Sequence, residues 1–306
     1  MQAHLTMSHR PSHYIAPRQL NDDILLFVLS LSSLQTATSM MATCHFLYHE
    51  GAKVILHDSP MSFEEKMSDD KAISLLRFIQ AEHLSRCPHV RKLHVFMHPM
   101  PDFIVGTLMD LLPHLTSLDT LFASIERTLD AHPNLLPPFA ALQSVETIFM
   151  ISVGVHSCEL VKTLQSQLVS VVIYFDPTNP TREQLSSNAD FHPLVLLQRS
   201  VPTLKSLVLA FWSDMLGTMF FEPDITYPNM DSFILHKGSP MNLGSYITAF
   251  PNLVHLCVED DCLNLWEQGQ RRVAQLQRDM NLELPAHQGK PPSGMVQIIL
   301  SENILQ

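Results

Sequence analysis

The sequence predicts an α/β protein in two parts, a short all-helical segment followed by a curved stack of strand–turn–helix units. Three observations carry that expectation. Apolar residues between Leu20 and Leu47 recur at three- and four-residue steps. From Val90 to Val258, short strand-like runs recur about every 23 to 28 residues, with one interval near 36. Helix-compatible segments lie between those runs, so each unit buries its apolar side against its neighbours.

Composition bounds the function classes. With 306 residues, 46% of them hydrophobic, the chain can bury a sizeable core. The 30 acidic residues outnumber the 19 basic ones and leave a formal charge of -11. No basic stripe is present to meet phosphates, so a nucleic-acid partner is not expected. Five cysteines without C-x-x-C spacing, and no N-x-S/T sequon, point to a reduced, intracellular chain of the cytoplasm or nucleus. Residues 1–19 carry Pro11, Pro17 and scattered His and Ser but no continuous apolar run, so a disordered lead-in is expected rather than a signal peptide. No apolar run approaches about 18 residues, so no membrane segment is expected.

Residues 20–56 form the helical segment. Asp22 and Asp23 suit the first turn of a helix, where acidic groups favour the dipole, and Ile24, Leu25, Val28 and Leu29 follow as one apolar face. Ser33 is a plausible N-cap for a second run at Leu34, Ala37, Met40, Met41, Cys44 and Leu47. Tyr48 to Lys53 either extends a third helix or turns at Gly51, and the short apolar run Val54-Ile55-Leu56 ends at the breaker Asp58-Ser59-Pro60. A further helix starts at Ser68-Asp69-Asp70, runs through Ile73, Leu76, Phe78, Ile79 and Leu84, and stops at Cys87-Pro88.

Within residues 57–262 the repeating unit is an aliphatic residue, two variable residues, an aliphatic residue, then alternation. Its copies are Val90 to Val95, Leu168 to Ile173, Leu204 to Leu209, Met230 to Leu235 and Leu253 to Val258. Looser copies run from Leu115 to Leu121 and from Leu142 to Ile148. The central positions are Leu93, Leu121, Ile148, Val171, Leu207, Phe233 and Leu256. Cys87-Pro88, Val201-Pro202, Tyr227-Pro228 and Phe250-Pro251 precede four copies, and the residue before each Pro is pushed out of the helical region, closing the preceding helix. Helices are expected at Phe103 to Leu112, Cys158 to Leu168, Leu194 to Arg199, Met215 to Phe221 and Leu243 to Ala249. Asp176 to Pro180 looks like an inserted loop in the long interval. A doubly wound α/β domain also alternates strands and helices, but with nine Gly and no G-x-G-x-x-G or G-x-x-x-x-G-K motif no phosphate loop follows any strand. Residues 263–306 read as an amphipathic helix through Leu263, Trp266, Val273, Leu276 and Met280, a linker, and an apolar tail. No polar cap closes the stack, so the tail is expected as an incomplete unit or as a divergent end in which Ile298, Ile299 and Leu300 pack imperfectly.

Candidate chemistry is sparse. Seventeen histidines invite a metal hypothesis, yet none stands in H-E-x-x-H or in a C-x-x-C paired with H-x-x-x-H, and chance placement is expected. Glu259-Asp260-Asp261 lacks the Gly and alternating oxygens of a calcium loop and reads as a solvated turn. There is no G-x-S-x-G elbow, and Cys44 is expected on the second helix as a buried structural thiol. Trp212 suits either a recognition anchor or a core filler. No catalytic residue, cofactor or metal ligand set is expected.

The helical segment resembles an F-box. Leu20, Asp22 and Asp23, Ile24-Leu25, Val28-Leu29, Ser33-Leu34, Met40, Cys44 and Leu47 fall where that family places its helix faces and tail. Asn21 stands where the family usually has Pro, Ala37 where it has a larger aliphatic, Thr43 where it has Val and His45 where it has a basic residue. With the irregular repeats that follow, the chain resembles F-box proteins with leucine-rich repeats, most nearly the divergent sets found in fungi. The resemblance implies a non-catalytic receptor subunit of an SCF (Skp, cullin, F-box) ubiquitin ligase. Leu20, Ile24, Leu25, Val28, Leu29, Leu34, Met40, Cys44 and Leu47 would dock on the Skp adaptor, which links to cullin and RING subunits, and the repeats would hold a target protein. A repeat scaffold without a ligase role uses the same stack and takes the helices as its N-terminal cap.

Overall fold

The computed structural model describes residues 21–175, 185, 188–210, 224–236, 243–259 and 295–299. The chain divides into two compact units between Ile55 and Leu56.

The described part of the first unit is helical. Helix α1 spans Asp22–Ser30, α2 Leu34–Met41 and α3 His45–Asp58. The Asn21 amide oxygen caps α1 by accepting from the Asp23 N–H at 3.0 Å, and the Ser33 hydroxyl caps α2 by accepting from Thr36 at 3.2 Å. Leu29, Ala37, Met41, Leu47 and Ala52 are buried. Gly51 permits this packing: a Cβ there would stand 2.9 Å from Leu29 Cδ1 and 3.1 Å from Met41 Cγ.

The second unit is α/β with a mostly parallel sheet. Its strands are β1 (Met61–Phe63), β2 (Lys92–Val95), β3 (Thr120–Ala123), β4 (Thr147–Val153), β5 (Ser170–Phe175), β6 (Ser206–Ala210), β7 (Ser232–His236), β8 (His255–Glu259) and β9 (Met295–Ile299). They lie side by side in chain order, so the sheet has no topological switch point of the kind that opens a ligand crevice in a doubly wound fold. Strands β1 to β8 are parallel. The seven central positions read from the sequence form one unbroken row of register partners, from Leu93 and Leu121 to Phe233 and Leu256. Two strands, at the ends of the sheet, were not specified by the repeat pattern. Strand β1 follows the breaker directly and pairs Met61 with Leu93. In the tail, expected as an incomplete unit or a divergent end, Met295–Ile299 pairs antiparallel with β8, His255 opposite Ile299, which supplies that edge with main-chain partners.

Between the strands lie α4 (Asp69–Gln80), α5 (Asp102–Leu111), α6 (Glu126–Ala131), α7 (Leu136–Ala140), α8 (Val155–Thr163), α9 (Pro193–Leu196) and α10 (Leu243–Ala249). Helix α8 begins three residues before the predicted Cys158 start, and α9 is a single turn followed by a 3-10 turn at Gln198–Ser200. The predicted helices Met215 to Phe221 and Leu263 to Met280 and the loop Asp176 to Pro180 lie outside the described residues.

Strand residues alternate between two faces. The row through Leu93, and the row two residues on through Val95, Ala123, Met150 and Ile173, join the helices in one continuous core with Leu76, Ile104, Leu108, Leu129, Phe139, Leu160 and Tyr246. The opposite face holds a separate cluster of strand residues, Phe122, Phe149, Val172 and Val208, flanked by Phe96, Ile151, Tyr174 and Ile234.

The turns entering the strands repeat the same hydrogen bonds. The Arg91 carbonyl accepts from the N–H groups of Asp119 and Thr120, the Asp119 carbonyl from Glu146 and Thr147, and the Glu146 carbonyl from Val169 and Ser170. The pattern continues through Val169, Lys205 and Asp231. Side chains add to it: Asn229 donates to the Pro202 carbonyl at 2.7 Å and Asn252 to that of Pro228 at 2.6 Å. Each turn thereby satisfies main-chain groups of the one before it, which sets strand register by local chemistry.

Candidate docking site

Helix α1 is apolar nearly all round, so its partners decide which residues are core and which are surface. Leu29 is buried, and Leu25 and Leu26 are half-buried. Ile24, Phe27, Val28 and Leu31 are 50, 64, 44 and 72% exposed. Their spacing of i, i+3, i+4 and i+7 places them in one stripe down the helix. The face read from the sequence therefore splits in two: Ile24 and Val28 point outward, while Leu25 and Leu29 turn toward the unit's interior. Phe27 and Leu31 complete the outward stripe; their heptad-like spacing from Ile24 was the signal available in the sequence.

The remaining expected contacts are distributed unevenly. Met40 is half-buried and Leu47 is buried. Cys44 is exposed and lies between α2 and α3, correcting its expected place as a buried thiol on α2. Leu20 lies outside the described residues, as does the side chain of Leu34. Ala37 is 2% exposed and belongs to the interior. Thr43 is exposed, and its hydroxyl donates to the Met40 carbonyl at 2.6 Å at the end of α2. Asn21 caps α1, its amide oxygen accepting from a first-turn N–H.

On the second unit the sheet face opposite the helical core is banded. A hydroxyl row runs through Thr120, Thr147, Ser170, Ser206 and Ser232, with Lys92 before it and His255 after it. Beside it the aromatic rings form a ladder. Phe122 and Phe149 stack at 4.1 Å between centroids with planes 6° apart, and Tyr174 stacks on Phe149 at 5.5 Å. His94 continues the row 5.3 Å from Phe122. Burial, and secondly the charge of Lys92, push its imidazole down to about 4, so the ring is neutral at physiological pH. Phe122, Phe149, Val172 and Val208 are already buried, so the rows on either side are the more accessible part of this face. Trp212, Asp260 and Asp261 lie outside the described residues.

The thiols of this unit are chemically quiet where they are buried. Burial pushes Cys87 up to about 11; burial and then the nearby Glu126 charge also raise Cys158. Glu126 itself is committed to main-chain groups, accepting from the N–H of Gly154, His156 and Ser157 at 3.0, 3.1 and 2.8 Å. Among the described residues no three His, Cys, Asp or Glu side chains gather as a metal site, and no helix is long and apolar enough to cross a membrane.

No protein-family model matches the chain, and no curated protein matches it.

Proposed function

We propose that the chain is the substrate-recognition subunit of an SCF-type ubiquitin ligase. The first unit docks on a Skp-type adaptor, and the second, an irregular leucine-rich-repeat solenoid, holds a target protein in the cytoplasm or nucleus. The carrying observation is the stripe Ile24, Phe27, Val28 and Leu31, four large apolar residues exposed along one helix of a small unit distinct from the sheet. Clustered apolar exposure of this kind marks an interaction surface. The row of register partners at a leucine-rich-repeat period supports the reading of the second unit. No bond-making step is asked of this chain; ubiquitin transfer belongs to other subunits.

The magnitudes shape the interface. Fully burying a large aliphatic or aromatic side chain is worth roughly 1.5–3 kcal/mol, so covering four that are about half exposed gives a gross gain of roughly 3–6 kcal/mol. Association costs consume a gain of that size, so α1 anchors the adaptor and Met40, Tyr48 or other surface must add to it.

Ile24→Asp with Val28→Asp tests the reading in a pull-down with recombinant adaptor. Both positions are exposed, so the helices stay folded, whereas Leu29→Asp would bury an unpaired charge in their interior. Capture is expected to fall at least tenfold. Undiminished capture by the double variant, or no capture by the wild type, discards the ligase assignment. The latter result leaves the second reading, a repeat scaffold that binds its partner through the sheet unit alone.

A further inference from the structure

Helix α3 carries two histidines one turn apart. His45 and His49 stand at i and i+4, so their side chains leave the same face of the helix, one above the other. Their Nε2 atoms are 2.8 Å apart, with ring centroids at 4.1 Å and planes tilted by 56°. His45 is exposed and His49 half-buried, so the pair opens to solvent. Tyr48 meets His49 edge-on at 5.3 Å, and the intervening Leu47 is buried, so the helix face is held in place from within.

Two neutral imidazoles at this distance share one proton, one Nε2–H donating and the other nitrogen accepting. A metal ion can take that proton's place. Imidazole nitrogens bind divalent ions at about 2.0–2.1 Å, so two such bonds at a right angle put the nitrogens about 2.9 Å apart, while a tetrahedral angle needs about 3.4 Å. The observed 2.8 Å fits the right-angle bite. Adjacent nitrogens at a right angle are the arrangement of square-planar and tetragonal sites, which Cu2+ and Ni2+ prefer; zinc would require the rings to open by about half an ångström.

We propose that His45 and His49 form a two-imidazole chelate for Cu2+ or Ni2+ on the exposed face of α3, with water in the remaining positions. The pair was passed over in the sequence because H-x-x-x-H without a cysteine pair is no zinc motif. Only the helix brings the rings together. Affinity beyond that of a lone surface histidine comes from having both donors in place before the ion arrives, so little ordering remains to be done on binding. The site uses neither the α1 stripe nor the sheet face, so it stands or falls independently of the docking reading.

The test is calorimetric titration of the untagged full chain with Cu2+ and, separately, Ni2+, with electron paramagnetic resonance of the copper form to count coordinated nitrogens. The wild type is expected to bind one equivalent tightly, with two imidazole nitrogens on copper. His45→Gln and His49→Gln are each expected to weaken that equivalent at least tenfold. A double variant, His49→Gln with Glu50→His, keeps seventeen histidines while moving the second ring off the shared face, and the same loss is expected. His57→Gln, at the other end of the helix, should leave binding unchanged. Affinity within twofold of wild type in the His45→Gln or double variant, or an equal loss in His57→Gln, overturns the proposal. His45→Gln keeps the test sound if His49 also serves packing, since His45 is solvent-facing.

Discussion

Removing the Glu126 carboxylate should unfold the sheet unit more readily than any other single polar change described here. Glu126 lies in the first turn of α6, is 9% exposed, and reaches across 28 to 31 residues to accept from three N–H groups at the start of α8. Those donors belong to the unpaired first turn of a helix, whose positive end also favours the negative charge. Glu126→Ala leaves the buried N–H groups of Gly154 and Ser157 without that acceptor, next to a Ser157 hydroxyl that already has no partner among the described residues. Hydrogen bonds to a charged group contribute about 1.5–3 kcal/mol each, but three sharing one carboxylate are not additive, so the expected cost is about 4 kcal/mol. At roughly 2–4 °C per kcal/mol for a unit of this size, thermal unfolding followed by circular dichroism should show a midpoint lower by about 10 °C. Glu126→Gln keeps an amide oxygen and the shape while losing the charge, and should fall about half as far. A drop below about 3 °C in the Ala variant, or an equal drop in both, would refute the claim that this carboxylate ties the two helices together.

Acid should destabilise the protein through His192. Its Nδ1 accepts from the Leu194 N–H at 3.2 Å, capping α9 as a neutral ring, and burial pushes its imidazole down to about 4 from the usual 6.5. The unfolded chain therefore binds the proton first. The contribution, on the order of 2–3 kcal/mol, is complete above pH 6.5 and is lost as pH falls toward 4, with His94 acting in the same direction. Denaturant midpoints between pH 8 and 4 should trace this fall, and His192→Asn, which retains a capping side chain, should flatten it; an unaltered slope would count against the assignment. In the first unit, Gly51→Val should overpack the space against Leu29 and Met41 and cost about 1–3 kcal/mol, lowering adaptor capture without touching the exposed stripe. Equal helicity and capture in that variant would mean that the helices do not need this close approach.

The repeats were legible because they obey a local rule. An aliphatic residue every other position, led by an apolar-Pro pair, specifies a strand and its inward face, and the seven central residues became the register row without a slip. Strand β1 was illegible because three residues after Asp58-Ser59-Pro60 carry too little pattern, and its identity depends on Leu93 lying beside Met61. The helices α6 and α7 carried no expectation for a related reason: at six and five residues they are too short to show a helical period, and Pro137 and Pro138 fit in the first turn of α7 because no intrahelical N–H is needed there.

The docking stripe shows the same division. Residue spacing marked α1 as an apolar helix with Asp22 and Asp23 in its first turn, and it marked the strand units and their period. Those features depend on residues a few places apart in the chain, so sequence spacing suffices to state them. Which side of α1 faces outward depends on where α2 and α3 place Ala37, Met41 and Gly51, and that moved Leu29 inward and brought Phe27 and Leu31 to the surface. The pairing of His45 with His49, the grip of Glu126 on α8 and the antiparallel closure by β9 belong to the same class. Each joins groups whose distance is set by packing or by the helical turn rather than by their order in the chain, so tertiary structure decided them.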